Sequence, residues 1–294
     1  MMKRFIFSIF LLPLLLASPQ TKAQGIMLTP KWTAQAQFTG YYVADKLGFY
    51  KEEGIDVCVQ HPAISESSFS FMEKGRAPVV IMNLSYAFME RLAGARVVNV
   101  MQTSQENSLM LISHSPLKGE ESLRNQKIAV WNHLSQKLLD RLAEHYALKQ
   151  VEWIRFNSGV NVFLSGAADP CLVGSYNEYL QLSEYGMNVD SIYSIRLADY
   201  GYNLPEDGLY VTEEFYNQYP EVVRKLVKAS MRGWAWTNEH REEALDMVME
   251  EVKKGNITAT TNAKCWRKFS ACKWTSKADN VPTASAGKDL HALQ

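Results

Sequence analysis

Asn177 and Glu178, with Tyr176 beside them, form the polar group in this chain best suited to reading the edge of a flat, polar molecule. A carboxylate can accept two N–H bonds, and a neighbouring amide can donate and accept in the same plane. The bland alternative is an Asn and a Glu at a helix start, facing water. Trp32, Tyr41 and Tyr42 offer aromatic surface that can stack on a planar ring, worth about 0.5–1.5 kcal/mol beyond burial. Core packing of the helix that follows suits Tyr42 equally well and Trp32 less well. Asn83 and Ser85, followed by Tyr86, stand just before a second helix. A side chain there caps free N–H groups, the more common outcome, or a ligand oxygen replaces it. Asp199, Tyr200, Glu206 and Asp207 make an acidic group further on, in which Glu206 or Asp207 can equally fix a turn with Pro205 and Gly208.

Covalent and metal chemistry find little support. The sequence carries no GxSxG, no HExxH and no P-loop. His61, His114, His133, His145, His240 and His291 are scattered, and none stands beside a Ser or Cys in a nucleophile setting. Cys58, Cys171, Cys265 and Cys272 form no CxxC and no Cys/His cluster, which argues against structural zinc. No catalytic residue, metal or cofactor is expected.

The elements that must position these groups alternate between strand and helix. Residues 40–50 place Tyr42, Val43, Leu47 and Tyr50 at helical spacing, with Gly48 as a stop, and Ile55, Val57 and Val59 alternate as a strand. Residues 67–74 read as a short helix, and PVVIM at 78–82 as a buried parallel strand leading into a helix over 86–92. Strands follow at 97–102 and 109–113, the second a candidate crossing between two lobes. Further strands are expected at 127–131, 151–156, 171–174 and 192–196, with helices at 135–147, 161–165 and 179–184. Residues 208–211 read as the return crossing, ahead of helices at 213–218, 220–240 and 242–254. The helix from 220 opens on Pro220 and carries Val223, Leu226, Val227, Met231 and Trp234 on one face. Trp234 and Trp236 fit core packing far better than an aromatic binding box. The fold class is therefore α/β, with mostly parallel sheets flanked by helices.

Lys3 and Arg4 precede an apolar run from Phe5 to Ala17 and small residues ending at Ala23. That is the pattern of a cleaved secretory signal, and the run is shorter than the ~20 residues that span a bilayer. No Cys follows the run, so a freely soluble periplasmic or secreted form is expected after cleavage near Ala23. Lys plus Arg and Asp plus Glu both number 31. This balance gives no reason to expect nucleic acid or an anionic membrane as partner. Export permits a disulfide, but one between Cys58 and Cys171 would join the two lobes and oppose their movement, so both are expected as small buried hydrophobes. After Gly255 the periodicity disappears, and residues 258–294 are expected to be a divergent or partly disordered tail.

The run from Trp32 through Gly40, Tyr41, Gly48, Phe49, Glu52, Glu53, Gly54 and Val57 resembles the opening of the NMT1/THI5-like branch of ABC-transporter substrate-binding proteins. The resemblance resumes at SYNEYL (175–180) and DYGYNLPEDGLY (199–210), and spans roughly residues 26–255. It implies a type II periplasmic-binding-protein fold with two hinge crossings. Lobe I would comprise residues 24–112 and 208–257, and lobe II residues 113–207. It further implies a monomer that carries a thiamine-precursor aminopyrimidine, or a similar small heterocycle, to a permease and ATPase.

In such a binder the ligand lies between the lobes, against loops at the carboxyl ends of the parallel strands. These loops are 32–42, 83–86, 131–135, 157–161, 175–178 and 199–207, the third carrying His133. The expected ligand-binding set is Trp32, Tyr41, Tyr42, Asn83, Ser85, Tyr86, His133, Tyr176, Asn177, Glu178, Asp199 and Glu206. Two alternatives stand beside this reading. A sulfonate or taurine-like anion would want Arg or a helix N-terminus in the cleft, for which Arg155 and Arg196 are the candidates. Eukaryotic members of the family instead make the pyrimidine from pyridoxal phosphate and a histidine of their own. The resemblance places that histidine at Tyr86 and their Cys-rich run at YNLPE (202–206), so both chemical elements are missing.

Overall fold

The computed structural model describes residues 25–63, 66–118, 120–131, 139–140, 143–144 and 150–254. The expected export signal, His133, Cys265, Cys272 and the tail from 258 lie outside the described residues, as does the helix expected at 135–147 apart from residues 139–140 and 143–144, which are helical. Among the described residues, ten strands form two five-stranded sheets. In chain order they are β1 (Ile26–Thr29), β2 (Val57–Val59), β3 (Val79–Asn83), β4 (Val97–Gln102), β5 (Leu109–Ser113), β6 (Lys127–Trp131), β7 (Glu152–Phe156), β8 (Cys171–Gly174), β9 (Tyr193–Arg196) and β10 (Asp207–Thr212). The first sheet runs β2-β1-β3-β10-β4 and the second β7-β6-β8-β5-β9. This is the expected two-lobed α/β architecture.

Each sheet has four strands in one direction and one against them. β10 lies antiparallel between β3 and β4, with Leu209 opposite both Ile81 and Met101. β5 does the same between β8 and β9, with Leu111 opposite Leu172 and Ile195. Central strands are buried along their apolar runs, as at Val79–Met82 and Cys171–Gly174, whereas the edge strand β9 is largely exposed. β5 pairs wholly within the second sheet, so the first crossing is confined to residues 103–108, ahead of the boundary expected at 112. The return crossing ends at Glu206.

The first lobe is closed by the helices Thr39–Lys46 and Pro220–Glu239, which touch backbone to backbone. A Cβ at Gly233 would stand 2.0 Å from the carbonyl oxygen of Gly40, and one at Gly40 would stand 2.3 Å from the Trp234 ring. Tyr41 meets Trp234 edge to face, with ring centroids 5.9 Å apart. Trp234 is thus core, as its spacing suggested, and Trp236 packs partly buried against the same cluster. Tyr50 is buried beside them and its hydroxyl lies 2.9 Å from Ser230 Oγ. No helix among the described residues is long and apolar enough to cross a membrane.

The two described cysteines are in separate sheets and both are free. Cys171 is buried as expected, and burial pushes its thiol up to about 12. Cys58 departs from expectation: it is exposed, because β2 is an edge strand whose alternation turns its middle residue outward.

Gly233→Ala should destabilise the protein by about 1–3 kcal/mol, because the overpacking cost at a 2.0 Å contact exceeds the helix-propensity gain. Denaturant unfolding monitored by tryptophan fluorescence measures this, and a variant as stable as the parent would contradict the close contact.

Candidate ligand-binding cleft

A cavity of about 670 Å³ lies between the two sheets, within the range of small-molecule sites. Its walls come from the segments after β1, β2, β3, β7 and β8 and from the end of β6, together with both crossings. Trp32, Asn83, Tyr86, Tyr176, Asn177, Glu178 and Glu206 of the expected set line it. Lys31, Gln35, Gln37, Ser108, Trp131 and Asn157 line it as well.

Five expected residues are placed elsewhere or lie outside the described chain. Tyr41 and Tyr42 are buried in the first lobe's core, because the helix Thr39–Lys46 turns that face onto Pro220–Glu239 rather than toward the cleft. Asp199 is exposed in a short turn, Leu197–Tyr200, at the end of the edge strand β9. Ser85 is half-buried in the first turn of the helix Leu84–Leu92 and does not line the cavity, since that helix begins earlier than expected. His133 is outside the described residues.

The floor of the cleft is a charged group built on the second crossing. Lys31, just past the end of β1, pairs with Asp207 at 2.5 Å and donates to Asn83 Oδ1 at 2.6 Å. Asn83 therefore holds the lysine rather than capping the helix it precedes. Burial pulls the ammonium toward its neutral form, but the Asp207 and Glu206 carboxylates outweigh that and hold its pKa above the ordinary lysine value. Glu206 Oε1 accepts from the Ser108 backbone N–H at 2.9 Å and from its hydroxyl at 2.9 Å. Among the described residues, Glu206 Oε2 meets only that same hydroxyl, at 3.0 Å. Burial pushes the Glu206 carboxyl up, and Lys31 and Ser108 pull it partly back.

Glu178 is spent differently. It is 5% exposed, and Oε2 accepts the Gly174 backbone N–H at 3.0 Å. Oε1 accepts Trp131 Nε1 at 3.3 Å and Asn177 Nδ2 at 3.1 Å. With three protein donors on about four acceptor positions, this carboxylate holds Trp131 and Asn177 in place more than it reads a ligand edge. Burial pushes its pKa up, against the Gly174 bond.

The lobes meet across the cleft. Tyr176, after β8, donates its hydroxyl proton to Gln37 Oε1 at 2.7 Å, and Gln37 Nε2 donates to Gln35 Oε1 at 2.7 Å. The crossings are also tied together: the Asp207 carbonyl accepts from the Thr103 N–H at 2.9 Å and its hydroxyl at 2.7 Å, and Asn107 binds Tyr202 and Asn203. Among the described residues no arginine lines the cavity. Arg155 donates to the Trp131 carbonyl at 3.4 Å, and Arg196 stands half-exposed on β9 beside Glu106.

Behind the wall, His61 fixes Trp32. Its Nδ1 lies 2.5 Å from the Trp32 carbonyl oxygen and its Nε2 2.8 Å from the Tyr42 hydroxyl. A carbonyl can only accept, so Nδ1 carries the proton and Nε2 accepts from Tyr42. Sequence reading passed over His61, Lys31 and the Gln35–Gln37 pair. Lys31 sits one residue outside a window drawn from Trp32, and a window opened at the strand end would have taken it in.

The family described as NMT1/THI5 like matches residues 35–244 of the chain. The riboflavin-binding protein RibY of Chloroflexus aurantiacus is 28% identical over 250 residues, covering 81% of this chain and 69% of that protein. The formylaminopyrimidine-binding protein of Halalkalibacterium halodurans is 24% identical over 274 residues, covering 87% and 82%. The 4-amino-5-hydroxymethyl-2-methylpyrimidine phosphate synthase of Candida albicans is 22% identical over 281 residues, covering 89% and 82%. In fold, the chain is similar to the periplasmic aliphatic sulphonate binding protein SsuA of Escherichia coli, with a TM-score of 0.62 at 14% identity over 83% of this chain and 78% of that one.

Burial lowers the His61 pKa below 6.5, so the folded state resists a proton that the unfolded chain accepts. The stabilisation is complete above 6.5 and is lost as pH falls through the folded value. Between pH 7 and 5, wild type should lose stability relative to His61→Gln by at most about 1.4 kcal/mol per pH unit. Parallel curves from denaturant titrations would show that His61 does not titrate in this way.

Proposed function

Because the chain belongs to the NMT1/THI5-like family, we propose that it is the extracytoplasmic solute-binding component of an ABC importer, capturing a small nitrogen heterocycle between its lobes. The observation that carries this reading is the lining of the inter-lobe cavity, which combines aromatic walls (Trp32, Trp131, Tyr176) with hydrogen-bonding groups at the crossings. Trp32 and Trp131 supply planar burial, and Asn177 and Glu206 read the ring's edge, Glu206 through Oε2, which the Ser108 hydroxyl meets at 3.0 Å. Glu178 is a positioning residue for Trp131 and Asn177. The riboflavin- and formylaminopyrimidine-binding relatives support the ligand class.

The lobes pivot at residues 103–108 and 201–206, and closure buries the ligand on both faces. The mature protein begins near residue 24, acts as a monomer, and delivers its ligand to a permease and ATPase. It is not an enzyme: Tyr86 lines the cavity where the synthase branch would place its histidine, and a phenol at that place cannot be the consumed imidazole.

A thermal-shift screen of aminopyrimidines and flavins tests the reading, since a ligand at 100 times its Kd adds about 2.7 kcal/mol of stability. Glu206→Gln should weaken binding of the responding heterocycle about tenfold or more, through loss of a charge-assisted bond. Unshifted melting with every heterocycle would overturn the assignment.

A further inference from the structure

We infer that the cleft is built to exclude anions, so that its ligand is an uncharged or cationic, N–H-bearing heterocycle, and the phosphorylated or sulfonated congener is rejected. The inference rests on the heterocycle-binding reading above and narrows it. Among the described residues the charged groups lining the cavity are Lys31, Lys74, Glu66, Glu178 and Glu206. Each lysine already faces a carboxylate. Lys31 is already held by Asp207 at 2.5 Å and by Asn83 at 2.6 Å. Lys74 stands half-exposed with Glu66 at 3.5 Å. Glu178 and Glu206 are left without a cation committed to them alone, and they sit on opposite sides of the cavity, one after β8 and the other before β10.

Two helix starts of the first lobe open on the cleft. That of Ser68–Glu73 is capped by Ser67, whose hydroxyl accepts the Ser70 N–H at 3.1 Å, while the Ser68 hydroxyl donates to the Ile81 carbonyl at 2.8 Å. The other is that of Leu84–Leu92, near the cleft floor. Its first amide, at Leu84, already donates to the carbonyl of Glu206 at 3.0 Å. The carboxylate of the same residue lines the cavity beside it. An incoming phosphate would therefore meet carboxylates in a partly desolvated space, where like charges repel far more strongly than in water. A ring amino or imino group, by contrast, finds acceptors at Glu206 Oε2 and at the second lone pair of Asn177 Oδ1, the first being taken by Gln181 Nε2 at 3.1 Å. This separates the chain from relatives whose names include a phosphorylated pyrimidine and from sulphonate binders of the same fold.

Isothermal titration of the full chain at pH 7 tests this, with five probes: a 4-amino-5-hydroxymethylpyrimidine and its phosphate monoester, riboflavin and its 5′-phosphate, and ethanesulfonate. The responding neutral member should bind about 100-fold or more tighter than its phosphate ester, with ethanesulfonate silent. In Glu206→Gln that ratio should narrow at least tenfold. An ester binding as tightly as its parent, ethanesulfonate binding within tenfold of the neutral ligand, or a ratio untouched in Glu206→Gln would overturn the charge rule while leaving heterocycle binding intact. Silence from all five probes would overturn the heterocycle reading, and the charge rule with it.

Discussion

One strand set against its neighbours in each sheet governs the rest of this molecule. Because β10 enters the first sheet antiparallel, its first residue lies opposite Asn83, at the carboxyl end of β3. Because β5 enters the second sheet in the same manner, its first residue lies opposite Gly174, at the carboxyl end of β8. Both crossings therefore arrive at the end of each sheet where the connecting loops gather, and the side chains that flank them are delivered to a common space. Glu206, Asp207 and Ser108 owe their places to this reversal alone. With all five strands parallel, the crossings would leave from the far end and the cleft would lose its floor.

That floor is a case of buried charge retained at a cost. An ammonium and two carboxylates out of bulk water are tolerable only because each has protein partners, and removing one partner would leave another charge uncompensated. Lys31 is the pivot, touching Asp207 and Asn83 and facing Glu206. The result is a set of acceptors whose directions are fixed before any ligand arrives, which reduces the ordering that binding must impose.

Local pattern carried the strands and helices well, because their signals lie in neighbouring residues. Val79–Met82 and Cys171–Gly174 read as buried strands from composition alone, and the short helix Ser68–Glu73, capped by Ser67, follows from its own sequence. The site was only partly legible, because its contents depend on distant partners. Tyr41 and Tyr42 read as a stacking wall until the contact of Gly40 with Gly233, far along the chain, turns them into core. Glu178 reads as a ligand acceptor until Gly174 and Trp131 claim its oxygens. Lys31, a single lysine after a strand, has no pattern of its own, and its importance comes wholly from Asp207.

The bond from the Tyr176 hydroxyl to Gln37 spans the two lobes at 2.7 Å. Any parting of the halves must break that bond, so it adds to the barrier against opening. One phenol and one amide thus act as a latch between the halves, contributing to how readily they come apart.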